Sequence, residues 1–159
     1  MSQFELAQLN IARMIAPLDS PELADFVANL DQINEIADQA PGFVWRFQTD
    51  DGNATGIRPF GDDVLVNFSV WRDAESLHQY VYKSAHAEIM ARRREWFSRI
   101  REAYSVLWWV AAGHRPTIEE ASQKLKLLQQ NGPSADAFTF KQPFPAPAQP
   151  IISETSSAQ

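Results

Sequence analysis

The sequence of 159 residues contains no cysteine. That removes disulfides, thiolate nucleophiles and zinc–thiolate centres from consideration, and it suits a cytoplasmic setting, which is the expected location. Long hydrophobic runs are missing too. The longest, VLWWVAA, is strand-sized, far below the roughly 20 apolar residues that cross a bilayer. The opening MSQFELAQLNIARM has no basic region leading into an apolar core, so no signal peptide is expected. Positive charge is in short supply: 14 Lys and Arg stand against 20 Asp and Glu, for a net charge of −6, the wrong balance for neutralising phosphates. The single basic run, Arg92-Arg93-Arg94, is followed at once by Glu95 and reads as a solvated helix face. Neither nucleic acid nor a membrane is an expected partner. Histidine occurs only as His78, His86 and His114, with no closely spaced pair and no paired-carboxylate motif, so no metal site is expected. Phosphate loops and nucleophile elbows are absent as well.

What remains is an ordinary globular composition, 45% hydrophobic, long enough for one core without covalent staples. Residues 1–142 read as the folded domain, and 143–159, rich in Pro, Ala and Ser, as a disordered tail. Alternation over Phe4–Met14 predicts a strand. Ser20 and Pro21 then open a helix striped by Leu23, Phe26, Val27, Leu30, Ile33 and Ile36. Pro41-Gly42 ends it, and GFVWRFQ (42–48) is a second strand closed by a turn over Asp50–Asn53. Val64–Phe97 reads as a strand ending in Trp71, a cap at Asp73, a helix facing inward through Leu77, Tyr80 and Val81, and a second helical piece after a recapping point at Lys83-Ser84. That piece aligns His86, Ile89, Met90, Arg93, Trp96 and Phe97. YSVLWWV (104–110) is a fourth strand, and a Thr117/Glu120 capping box starts a last helix striped by Ile118, Ala121, Leu125 and Leu128. Phe138–Phe140 is expected as a short strand or extended arm.

Strand, helix, strand, strand, helix, strand is the α+β, ferredoxin-like split β-α-β order, with an antiparallel sheet. Such a sheet is usually solvated on the face away from its helices. Here Val64, Val66, Phe68 and Val70 make one face, expected to meet the helices, while Leu65, Asn67, Ser69 and Trp71 make the other. The second face is too apolar for water, and a second copy of the sheet, giving a homodimer with a barrel-like interior, would cover it. An interior carrying Gln8, Asn10, Arg46, Asn67, Ser69 and Trp71 matches the make-up of a small-molecule site. Trp45 and Trp108 join that lining, where they would contact a ligand or, with Trp109, fill the space.

The strand end NFSVW, the capped helix after it and SAHAEIM resemble the dimeric α/β-barrel superfamily, which includes antibiotic-biosynthesis-type and haem-degrading monooxygenases. LAQLNIARM, PGFVWRFQ, SAHAEIMARRREWF, LWWV, AGHRPT and FTFKQPFP are similar to one uncharacterised bacterial family within it, over roughly residues 4–145. The superfamily resemblance implies a site built from an Asn on the first strand, a Trp ending the third and a His on the next helix, which here are Asn10, Trp71 and His86. In other members an Asn stands four residues before the Trp, as Asn67 does. The piece LHQYVYKS lengthens the Trp71–His86 spacing beyond the usual pattern.

His86 is the natural proton carrier, although a core histidine bonded to a backbone carbonyl fits the same periodicity. Asn10 or Asn67 suits a developing oxyanion, Trp71 a planar ligand, and Arg46 either a carboxylate or an edge ion pair. His114 reads as loop capping and His78 as exposed. The leading expectation is an enzyme without an organic cofactor, a monooxygenase or an isomerase/cyclase, acting on a hydrophobic aromatic or enolisable molecule. A non-catalytic ligand-binding or structural homodimer is the alternative. A haem protein using His86, which the resemblance also implies, is the third.

Overall fold

The computed structural model describes residues 3–48 and 58–147. Its elements are β1 (Phe4–Met14), α1 (Ala24–Gln39, entered through a 3-10 turn at Pro21–Leu23), β2 (Phe43–Arg46), β3 (Val64–Trp71), α2 (Ala74–Lys83), α3 (Ala85–Met90), β4 (Phe97–Ser98), β5 (Ser105–Ala111) and α4 (Ile118–Asn131). The expected turn at 50–53 and residues 148–159 of the expected tail lie outside the described residues.

All strand pairs are antiparallel. β1 is central, with β3 on one side and β5 on the other, and β2 lies outside β3. The order β2-β3-β1-β5 is the ferredoxin-like one, so the α+β expectation holds. β4 is an addition of two residues that pairs Ser98 and Phe97 with Arg13 and Met14 at the far end of β1.

The expected division of the two sheet faces is reversed. Alternation groups residues by face but does not say which face the helices take. α1, α2 and α3 cover the face of Leu65, Asn67, Ser69 and Trp71. The face of Val64, Val66, Phe68 and Val70, continued by Leu9 and Val106, packs against Ala121, Leu125 and Leu128 of α4. Each large side chain so buried contributes about 1.5–3 kcal/mol. The helices of the chain itself therefore cover the face expected to meet a second copy.

On the helix side, apolar packing forms two separate clusters. Leu6, Trp71, Leu107, Leu77 and Phe138 make one. Leu65, Met14, Phe26, Ile33 and Trp96 make the other. Between them the sheet presents polar residues, and the helices do not close down on it.

Local signals explain the elements around this gap. Asp73 caps α2 by accepting from the Ser76 N–H at 2.8 Å, and Ser84 recaps the chain at α3 by accepting from the His86 N–H at 3.1 Å. Beyond Met90 the expected helical stripe is corrected: Arg93–Glu95 is a 3-10 turn and Phe97 belongs to β4, because Trp96 and Phe97 turn inward to pack on Phe26. At α4, Thr117 accepts from the Glu120 N–H as expected. The Glu120 carboxylate does not return to the cap. It takes Trp108 Nε1 at 2.9 Å and His114 Nε2 at 2.7 Å.

Candidate functional site

The gap between the clusters is a cavity of about 500 Å³. Its floor is set by strand register. Asn10 of β1 stands opposite Asn67 of β3 and opposite Ser105 of β5, so three polar residues form one row across three strands. One row along, Gln8 stands between Ser69 and Leu107. Cross-strand neighbours on one face lie roughly 4.5–5.5 Å apart at Cβ, close enough for side chains to join in a network.

They do so on one side. Gln8 Nε2 donates to Asn67 Oδ1 and to Ser69 Oγ, both at 2.7 Å, and Trp71 Nε1 donates to the same Ser69 Oγ at 2.8 Å. Because Oδ1 of Asn67 is occupied by Gln8, the amide is oriented with Nδ2, a donor, as its remaining end. Asn67 is exposed although it lies mid-strand among buried neighbours, since it faces the cavity.

The roof comes from the helices. His86 is buried on α3, with Nδ1 3.4 Å from the Val81 carbonyl. Burial lowers its pKa from the usual 6.5, with the Val81 contact pulling weakly the other way, so the ring is neutral at pH 7. If Nδ1 carries the hydrogen towards Val81, Nε2 holds the lone pair. The His86 ring packs 4.5 Å from Tyr80, which stacks at 4.9 Å on Trp71. Burial pushes the Tyr80 hydroxyl far up, overriding the opposing pull of the Arg46 charge, while Asp38 adds to the rise. Tyr80 is thus a neutral phenol. Tyr82, 55% exposed, and Phe140 of the C-terminal arm stand where the cavity meets solvent.

Of the residues expected at the site, Asn10, Asn67, Gln8, Arg46 and His86 line the cavity. Ser69 lies beneath, tied to Gln8. Three expectations are corrected. Trp71 is 1% exposed and lies behind Tyr80, so it anchors Ser69 and does not meet a ligand. Trp45 packs edge-on to Phe68, and Trp108 reaches Glu120 at the start of α4; both belong to the opposite face. Arg46 takes the plainer of its two roles: Nε and Nη2 meet both Asp38 oxygens at 2.7 and 3.3 Å. Tyr80 and Ser105 were missed. Tyr80 read as one more apolar-face residue, whereas Ser105 carried a signal, as a lone hydroxyl opening an otherwise apolar strand.

Among the described residues no three His, Asp or Glu side chains gather to hold a metal ion, and no helix is long and apolar enough to cross a membrane.

Residues 5–154 match DUF3291, a domain of unknown function. The chain belongs to that family. This is the kind of family the sequence resemblance implied. No curated protein matches this DUF3291 chain, but solved structures do. SnoaB from Streptomyces nogalater, described as a cofactor-independent oxygenase, is 17% identical, covering 72% of this chain and 96% of its own, with a TM-score of 0.46. A protein of unknown function from Nitrosomonas europaea is 15% identical over 72% of this chain and 95% of its own, at 0.46. MupZ from Pseudomonas fluorescens is 15% identical over 96% of this chain and 94% of its own, at 0.43. At such identities no residue role passes from them to the DUF3291 chain.

Proposed function

We propose that the cavity binds a small planar, hydrophobic molecule with an acidic C–H or O–H, and that His86 removes that proton. The observation that carries this reading is the pairing of a neutral, buried imidazole with an asparagine amide pre-oriented into the same cavity. A general base works best unprotonated at the operating pH. An amide N–H fixed in advance lowers the energy of an oxyanion without reorganising in the transition state. Gln8 and Ser69 fix Asn67, Trp71 fixes Ser69, and Asn10 stands across from Asn67 as a second donor. The aromatic and aliphatic lining supplies the dry surroundings.

Once the proton is on His86, two outcomes share the same groups. Returning it to another carbon gives an isomerase or cyclase. Passing electrons from the carbanion to molecular oxygen turns a methylene into a carbonyl. The methylene carbon is oxidised and dioxygen reduced: one oxygen atom becomes the carbonyl oxygen, and the other leaves as water with both methylene hydrogens. No organic cofactor enters that balance.

The test is deuterium incorporation from heavy water into a panel of aryl ketones under nitrogen, followed by oxygen uptake in air. We expect His86→Gln to abolish exchange and Asn67→Ala to slow it about 100-fold, in line with loss of one oxyanion donor. The rate should rise with pH to a plateau with its midpoint below 6.5, because the base has a lowered pKa. Exchange unchanged in the His86 variant would sink the reading. Ketone binding without any exchange would leave a ligand-binding protein.

A further inference from the structure

Arg93 is left unused by the chemistry above. It lines the cavity, its Nε is buried, and that Nε has no hydrogen-bond partner among the described residues. Its guanidinium lies over the Tyr104 ring, with Cζ 5.2 Å from the centroid. Arg13, Arg46, Arg72, Arg92 and Arg115 each meet a carboxylate, and Arg93 meets none among the described residues. Nor is an acid nearby in the lining: the described residues around the cavity include no Asp or Glu. Asp38 is engaged by Arg46, the cavity's other cation. In a chain of 20 acidic and 14 basic residues, an acid-free cavity with one uncommitted guanidinium is unusual. Arg93 itself is half-buried, and a buried N–H that has given up water and gained no acceptor is a cost that native structures normally offset.

We infer that the cavity's ligand is a planar aromatic acid whose carboxylate sits on Arg93. This rests on the cavity being the binding site. A carboxylate matches the flat guanidinium fork, whereas a phosphate dianion would call on a second free cation, and Arg46 is held by Asp38. Tyr104 fixes the plane of the guanidinium from one side. Its neighbour Ser105 pairs with Asn10, so an acid anchored at this corner extends its ring along the Asn10–Asn67 row, with Phe26 and Phe97 among the apolar walls.

The experiment is calorimetric titration of the full chain with 2-naphthoate and with its neutral isostere 2-naphthamide, using wild type, Arg93→Met and Arg93→Lys. Circular dichroism melts report whether each variant is folded. Wild type should favour the acid, Arg93→Met should weaken the acid about 10- to 100-fold while leaving the amide within about 2-fold, and Arg93→Lys should recover part of the loss. Equal binding of acid and amide by wild type overturns the inference and leaves the cavity reading intact. Equal weakening of both by Arg93→Met also overturns it, marking Arg93 as structural. If neither probe binds, the inference and the cavity reading fall together. Should Arg93→Met not fold, the wild-type acid–amide comparison decides alone.

Discussion

Burial strips the His86 imidazole of water, and no carboxylate among the described residues compensates; its contact at Nδ1 is the Val81 carbonyl. The consequence for stability has a definite sign. The folded pKa lies below 6.5, so between that value and 6.5 the unfolded chain binds more protons than the folded one, and stability falls as pH drops through this window. Above 6.5 the contribution is fully present. His86→Gln should flatten this part of the profile, so denaturant titrations from pH 7.5 to 4.5 should show a shallower loss in the variant; identical slopes would place the acid sensitivity elsewhere. The same absence of a partner makes the residue a usable base. Its role was only half legible beforehand, since helical spacing pointed it inward but a core histidine on a carbonyl gives the same spacing. Both descriptions turn out to apply to one side chain: Nδ1 faces the carbonyl, and the residue lines the cavity.

At the scale of elements, the turn from α1 into β2 illustrates how closely the layers are set. Gly42 has φ +82°, and a Cβ there would lie 2.1 Å from Ser76 Oγ. Its carbonyl also accepts from the Arg72 N–H at 2.7 Å. Gly42→Ala should cost at least about 1–2 kcal/mol from backbone strain alone, and more from displacing Ser76 beside the Asp73 cap. A chemical melt with loss below about 0.5 kcal/mol would contradict this. Pro41-Gly42 marked this boundary plainly in the sequence, as Asp73, Ser84 and Thr117 marked theirs, because capping and turn chemistry are local. The strand limits of β1 and β3 were equally legible, since alternation is local too. What alternation does not encode is the side on which the helices dock. With large apolar residues on both faces of β3, that choice depends on α4, whose position follows from long-range packing of Leu125 and Leu128 with Phe68 and Trp108. Trp45 and Trp108 were therefore placed at the site when they belong to its reverse. The stripe from His86 to Phe97 was extended too far for a related reason, since the inward turn at Trp96 is set by contact with Phe26 from a distant helix.

At the scale of the molecule, the sheet is covered on one side by α1–α3 and on the other by α4, and the chain then returns to the first side. Phe138 bridges to Leu107 through backbone bonds of 2.8 and 2.9 Å, Phe140 reaches His78 and Tyr82, and Phe144 accepts from Trp109 Nε1 at 2.9 Å. The arm thus stays docked past residue 142, beyond the expected end of the folded domain. One chain provides the floor, the roof and the rim of the cavity. Dilution is then the informative variable: ligand affinity should be the same within about 2-fold at nanomolar and at tens of micromolar protein, whatever assembly forms at the higher concentration. Affinity that collapsed on dilution would mean that a second chain holds part of the cavity. A constant value would give a site that operates at any expression level, with no threshold of assembly to cross.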